Sequence, residues 1–254
     1  MRAAERVALV SAVLAAPVSA PISAQDFDVL ERSPLTSIYI ETAFEGNDGR
    51  TDCDWYLSSA EFLESPASDD GRRNCRINLT IRGTITRDGA MLFSRITEEL
   101  TKAGHQTVAI FLDSRGGDAD AAIDMARRIR RHELFSGVTT RIAEHDSAVC
   151  FSACIVIFAA GYQRVAEFNI YGRQDLPSRL GIHGPGQFDS LRKAYDTSAE
   201  NSEIARVKQA LIDYFSTVGV SSVMVEDMFA IPFDDIRLLS EADAKRYGLI
   251  ESQD

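Results

Sequence analysis

Residues 146–161 read DSAVCFSACIVIFAAG, a small-residue segment centred on Ser152 that runs into the apolar Ile155-Val156-Ile157-Phe158 and stops at Ala159-Ala160-Gly161. An apolar run headed by a hydroxyl predicts a buried helix that starts at or near Ser152. The first amides of a helix lack intrahelical acceptors, and the helix dipole adds partial positive charge there, so developing negative charge is favoured at that point. A serine nucleophile needs such a place, together with a base and an oxyanion hole. A small-residue helix start packed in a core has the same spelling. The rest of the chain must decide between the two.

Upstream, residues 76–83 alternate, with Ile77, Leu79 and Ile81 on one face, which predicts a strand. Residues 88–103 predict a helix with Leu92, Ile96 and Leu100 spaced by four. Residues 107–112 form a continuous apolar run, the pattern of a strand buried on both faces. Asp113-Ser114-Arg115-Gly116-Gly117-Asp118 is a Gly-Gly turn opening another helix, on which Ala122, Ile123, Ala126 and Ile129 share a face. Residues 137–142 predict a third strand. Downstream come a strand near Gly181-Ile182-His183 and a long amphipathic helix ending near Gly219, with Ile204, Val207, Leu211, Ile212 and Phe215 along one stripe. Strands alternating with helices across short connections imply βαβ units, hence an α/β fold with a parallel sheet.

The 254 residues suffice for a real core, and 45% hydrophobic with 26% charged content is ordinary for a globular protein. A formal net charge of −11 argues against nucleic acid or an anionic membrane as partner. Residues 1–24 have the form of a signal peptide: Arg2 and Arg6 precede an apolar stretch, Val7 to Ala16, too short to span a bilayer, and Ser23-Ala24 offers a cleavage site. An exported product, periplasmic or secreted and with no later membrane span, is expected. Residues 25–74 read as an accessory segment with one β-like piece, Ser37-Ile38-Tyr39-Ile40, and a possible helix from Trp55 to Leu63. Residues 75–254 form the main domain.

Four cysteines in an exported chain suggest disulfides, with three connectivities open. Cys53 with Cys75 is the preferred pair, because it would tie down a polar loop. Cys150 and Cys154 flank Ser152 as C-x-S-x-C. On a regular helix an i,i+4 pair is near the limit of disulfide geometry, so that bond requires Cys150 to precede the helix. No CxxC occurs and only His105, His132, His145 and His183 are available, so neither metal nor cofactor is expected.

The order of motifs resembles the Clp protease proteolytic subunit and its relatives in the ClpP/crotonase superfamily, over residues 76–251. Gly83-Thr84-Ile85 is similar to that family's G-P-I turn, and Asp113-Ser114-Arg115-Gly116-Gly117 to its N-S-P-G-G oxyanion turn. Ser152, followed by Ala159-Ala160-Gly161 and Arg164, resembles the family's serine run into A-A-G and a basic residue. Leu176-Pro177-Ser178-Arg179 and Ile182-His183-Gly184-Pro185 resemble L-P-N-S-R and I-H-Q-P. Residues 239–251 resemble the M-S-x-x-E-A-x-x-Y-G-L-I-D ending.

The resemblance implies a βαβ spiral with a parallel sheet, Ser152 as nucleophile, His183 as general base, and the amides of Gly117 and Ala153 as oxyanion hole. For the acid it points to Asp235 or Asp234, with Asp235 preferred, and leaves open that the third member is absent. Arg115 stands where the family has proline and, with Gly116, is placed to contact substrate. The implied activity is an exported serine peptidase working on peptides or unfolded protein without ATP, with a homo-oligomer formed through the helix ending near Gly219. Two alternatives stand beside it: a Ser-Lys peptidase with Lys193 as base, and a binding or scaffold protein that keeps the fold without catalysis.

Overall fold

Alternation in the first of these strands places Ile77, Leu79 and Ile81 in the core with no exposed surface. The computed structural model describes residues 36–42, 76–102, 106–131, 137–143, 148–166, 179–185, 197–232 and 235–251. The expectations for residues 1–24, the helix from Trp55, the Cys53–Cys75 bond, Asp234 and Lys193 lie outside the described residues.

The strands are β1 (Thr36–Thr42), β2 (Arg76–Gly83), β3 (Gln106–Asp113), β4 (Thr139–Ile142), β5 (Cys150–Phe151), β6 (Gln163–Val165), β7 (Leu180–Ile182) and β8 (Arg237–Leu238). The helices are α1 (Arg87–Lys102), α2 (Ala119–Arg131), α3 (Ala153–Phe158), α4 (Thr197–Thr217), α5 (Val223–Ala230) and α6 (Glu241–Arg246). A five-stranded sheet runs in the order β1-β2-β3-β4-β6. Its strands are parallel except for β1, which pairs antiparallel with β2. A second sheet, β5-β7-β8, is parallel between β5 and β7 and antiparallel between β7 and β8. This is the mixed α/β class with a mostly parallel sheet that strand–helix alternation predicts.

Central strand β3 buries Ile110 and Leu112 fully on one face, while Ala109 and Phe111 on the other are only partly buried, so the unbroken apolar run does not make it a strand buried on both faces throughout. On α1 the buried stripe is Phe93, Ile96, Thr97 and Leu100, so Phe93 takes the place the sequence gives to Leu92, which is only partly buried. Helix α2 buries Ala122, Ile123, Ala126 and Ile129 as expected. The β-like piece at Ser37 is the edge strand β1 of the main sheet, in register from Thr36 opposite Gly83 to Thr42 opposite Ile77. Part of residues 25–74 is therefore built into the principal sheet.

Every residue of α3 is buried, the position of a helix that is apolar all round. Arg164 braces its far end: the guanidinium donates to the carbonyls of Gly161, Val218 and Gly248. The carbonyl ends of the A-A-G turn, α4 and α6 thereby meet on one cation.

Candidate active site

Two strands of the second sheet end side by side and carry the two residues that matter. In the β5–β7 ladder Phe151 faces Gly181, and the Ser152 amide donates to the Gly181 carbonyl at 2.9 Å. Ser152 leaves the C-terminal end of β5, and His183 leaves that of β7. Residues at the carboxyl ends of adjacent parallel strands point into one crevice.

Ser152 is the one described non-glycine residue with a left-handed backbone, at φ 52°. It stands between strand β5 and helix α3 and, as N-cap, accepts no side-chain capping bond from the helix. A serine on a strained strand-to-helix turn is the geometry that presents a nucleophilic hydroxyl, with the next amide available to an oxyanion. Such a conformation costs about 1–3 kcal/mol and persists only where its surroundings over-determine it. Here they do: besides the Ser152–Gly181 bond, Phe151 N–H donates to Ser114 O at 3.0 Å and Ile155 N–H to Ser152 O at 2.9 Å. A Cys150–Cys154 disulfide spans the turn, with Cα atoms 5.2 Å apart. Cys150 lies in β5, before the helix, which is the condition for this pair to bond.

The Gly-Gly turn closes the other side. Ser114 pairs with Cys150 as an isolated parallel bridge, and its hydroxyl accepts from Gly116 N–H at 3.1 Å. The chain beyond β3 is thus led past the serine. Gly116 has φ 106°, and a Cβ there would lie 2.9 Å from Ser152 Cβ and 3.2 Å from Ala153 N. Gly117 has φ 145°, and a Cβ there would be 2.1 Å from Ile85 O. Only glycine fits either place. The Gly117–Ile85 bridge runs through Ile85 N–H to Gly116 O and Asp118 N–H to Ile85 O, both at 2.9 Å. That pattern leaves the Gly117 amide turned away from Ile85. Ala153 is the first residue of α3, where the amide has no intrahelical acceptor. Ser152, Gly116, Gly117 and Ala153 therefore come together, and Arg115 is exposed beside them.

His183 is buried, and its Nδ1 lies 2.8 Å from the Gly184 carbonyl. A carbonyl oxygen only accepts, so Nδ1 carries the hydrogen and Nε2 of the neutral ring keeps its lone pair. The Gly184 amide in turn donates to Ile231 O at 2.9 Å, just beyond α5. Among the described residues no hydrogen bond joins Ser152 directly to His183.

Asp235 lies in the turn that leads into β8. Its amide closes a turn onto Pro232 O at 3.1 Å, ahead of β8. The β7–β8 ladder ends with Ile182 opposite Arg237. Continued by one step, that register sets Ile236, not Asp235, against His183, and neighbours on a strand point to opposite faces. Among the described residues no hydrogen bond or ion pair joins Asp235 to His183. The Gly184 carbonyl is the partner that sequence reasoning misses, since a backbone acceptor leaves no residue signature. Among the described residues no group of His, Cys, Asp or Glu could hold a metal ion, and no helix is long and apolar enough to cross a membrane.

No family model matches the sequence, and no curated protein matches it. Among solved structures the chain is similar to an Asn-to-Asp mutant of ClpP1 from Listeria monocytogenes, at 20% identity and a TM-score of 0.44, over 67% of this chain and 86% of that one. It is also similar to a Ser-to-Ala mutant of the membrane-bound stomatin-specific protease 1510-N, at 21% identity and a TM-score of 0.42, over 68% of this chain and 75% of that one.

Proposed function

We propose that this protein is a serine hydrolase, and specifically a peptidase acting through an acyl-enzyme. Ser152 Oγ attacks the scissile carbonyl, His183 Nε2 takes its proton and returns it to the leaving amine, and the amides of Gly117 and Ala153 hold the oxyanion. The Gly184 carbonyl holds the Nδ1–H and so fixes the tautomer that keeps Nε2 basic, the orienting task an acid performs elsewhere. One observation carries the reading: the strained Ser152, φ 52°, sits against the Gly116–Gly117 turn at the strand end neighbouring that of His183.

The signal-like residues 1–24 support an exported enzyme, periplasmic or secreted, that works without ATP on peptides or unfolded segments. Arg115, exposed beside the turn, is suited to a carboxylate of the substrate. A homo-oligomer through α4 belongs to the same reading. That no hydrogen bond or ion pair joins Asp235 to His183 among the described residues favours the scaffold reading as the rival.

Turnover separates them. Wild type should cleave casein or short fluorogenic peptides. Ser152→Ala and His183→Ala should each lose nearly all of it, because the members of such a unit are not additive. Asp235→Asn should retain most activity. Equal rates for wild type and Ser152→Ala would sink the mechanism, and no turnover by any of them would favour the scaffold.

A further inference from the structure

The strand–serine–helix turn is the kind of strained elbow in which the positions two before and two after the nucleophile are crowded, and glycine is the usual solution. In this chain those two positions are Cys150 and Cys154, and they are bonded to each other across the serine, with Cα atoms 5.2 Å apart. The crowding that elsewhere demands two missing side chains is met here by joining two side chains into one. Both residues are fully buried, so the bond lies inside the core beneath the serine.

The geometry points to Cys150 and Cys154 as positioning residues for Ser152: their disulfide clamps the elbow, so hydrolysis depends on the oxidised state of this pair. The inference rests on the hydrolase reading above. The clamp spans the residue with φ 52° and both elements that flank it, the strand fixing the Ser152 amide on Gly181 O and the helix beginning at Ala153. Opening it frees the first turn of α3 to relax toward an ordinary backbone, and that carries Oγ and the Ala153 amide out of register with the Gly116–Gly117 turn. Reduction by a dithiol transfers two electrons and two protons to the pair, giving two thiols while the reductant becomes a disulfide. A chain in an oxidising compartment keeps the bond, and one in a reducing compartment forms only the loosened elbow. Burial of both sulfurs makes the bond slow to open once the fold is complete.

The test compares wild type with Cys150→Ala/Cys154→Ala. The rate constant for fluorophosphonate labelling of Ser152, kcat and KM on a fluorogenic peptide, and the exchange of the Ser152 and Ala153 amides are read for both. The expected result is a fall of roughly tenfold or more in labelling rate and kcat, KM within about threefold, and faster exchange at these two amides. A folded double variant with wild-type labelling, kcat and exchange overturns the proposal. Should the variant not fold, wild type reduced by dithiothreitol in mild denaturant and returned to buffer is used, with both thiols verified by alkylation and mass. Activity lost there and regained on re-oxidation by glutathione disulfide supports the clamp, and activity retained with both thiols free refutes it. If oxidised wild type is itself neither labelled nor active, the hydrolase reading has failed, and amide exchange alone decides whether the disulfide holds the elbow.

Discussion

A Cβ at Gly116 would press on Phe151 O and Ser152 Cβ, each 2.9 Å away, in a backbone with φ 106°. Gly116→Ala should therefore act twice. The positive φ costs about 1–3 kcal/mol of stability, and relief of the clash must move either the turn or the serine. Since misplacement by about 1 Å can cost on the order of 100-fold in rate, kcat should drop much further than the small loss in thermal midpoint suggests. Steady-state kinetics beside a melting curve reads both, and a variant with wild-type kcat would show that the turn does not form the oxyanion site. At this scale much was legible: Ser152, His183 and the Gly-Gly turn carry distinctive spelling. The acid is harder to read, because the β7–β8 register decides which residue faces His183, and a one-residue step inverts the face.

Among the elements, α5, β8 and α6 form one brace behind the histidine. Asp227 on α5 accepts from the Tyr247 hydroxyl and pairs with Arg237 of β8 at 3.5 Å and with Arg246 of α6 at 3.3 Å. The Tyr247 hydrogen bond first, and the two guanidinium groups after it, hold the Asp227 carboxyl below its ordinary range. A carboxyl whose folded pKa is depressed adds stability above its unfolded value, and that stability is lost as pH falls through the folded one. Asp227→Asn should then lower the thermal midpoint modestly at neutral pH, with the difference from wild type vanishing as pH falls through the depressed range of that carboxyl. A constant difference across that range would contradict the assignment. The elements themselves follow from periodicity, and α3 holds the whole Ile155–Phe158 run. The two-residue β5 before it is set by pairing with Ser114 and β7, not by its own composition. The Cys150–Cys154 loop adds roughly 2 kcal/mol in the chain-entropy account, an amount similar to the strain at Ser152.

Over the whole molecule the parallel β2-β3-β4 core was readable, since alternation of strand and helix patterns leaves few topologies open, whereas the short strand β6 beside it carries no such pattern. The pairing of β1 with β2 was not readable either. It joins residues about forty positions apart, and nothing local in Ser37-Ile38-Tyr39-Ile40 names its partner. Helix α4 buries Leu211, Tyr214 and Phe215 in its C-terminal half, while Ile204 and Val207 further up remain only partly covered. Its stripe packs on its own fold from Phe215 up to Val207, and only Ile204 at the far end stays partly covered without joining that core. Light scattering at high concentration should find an oligomer that Ile204→Glu weakens, and a strict monomer would remove α4 as an association surface.

The central claim is that Ser152 is a nucleophile activated by its setting, and a fluorophosphonate probe tests it most directly. Incubation of the oxidised protein followed by peptide mapping should place one adduct on Ser152. Labelling should be abolished in Ser152→Ala, and slowed in His183→Ala by at least about 100-fold, the usual weight of a general base. An unmodified Ser152 in folded, disulfide-bonded protein, or equal labelling with and without His183, would contradict the account.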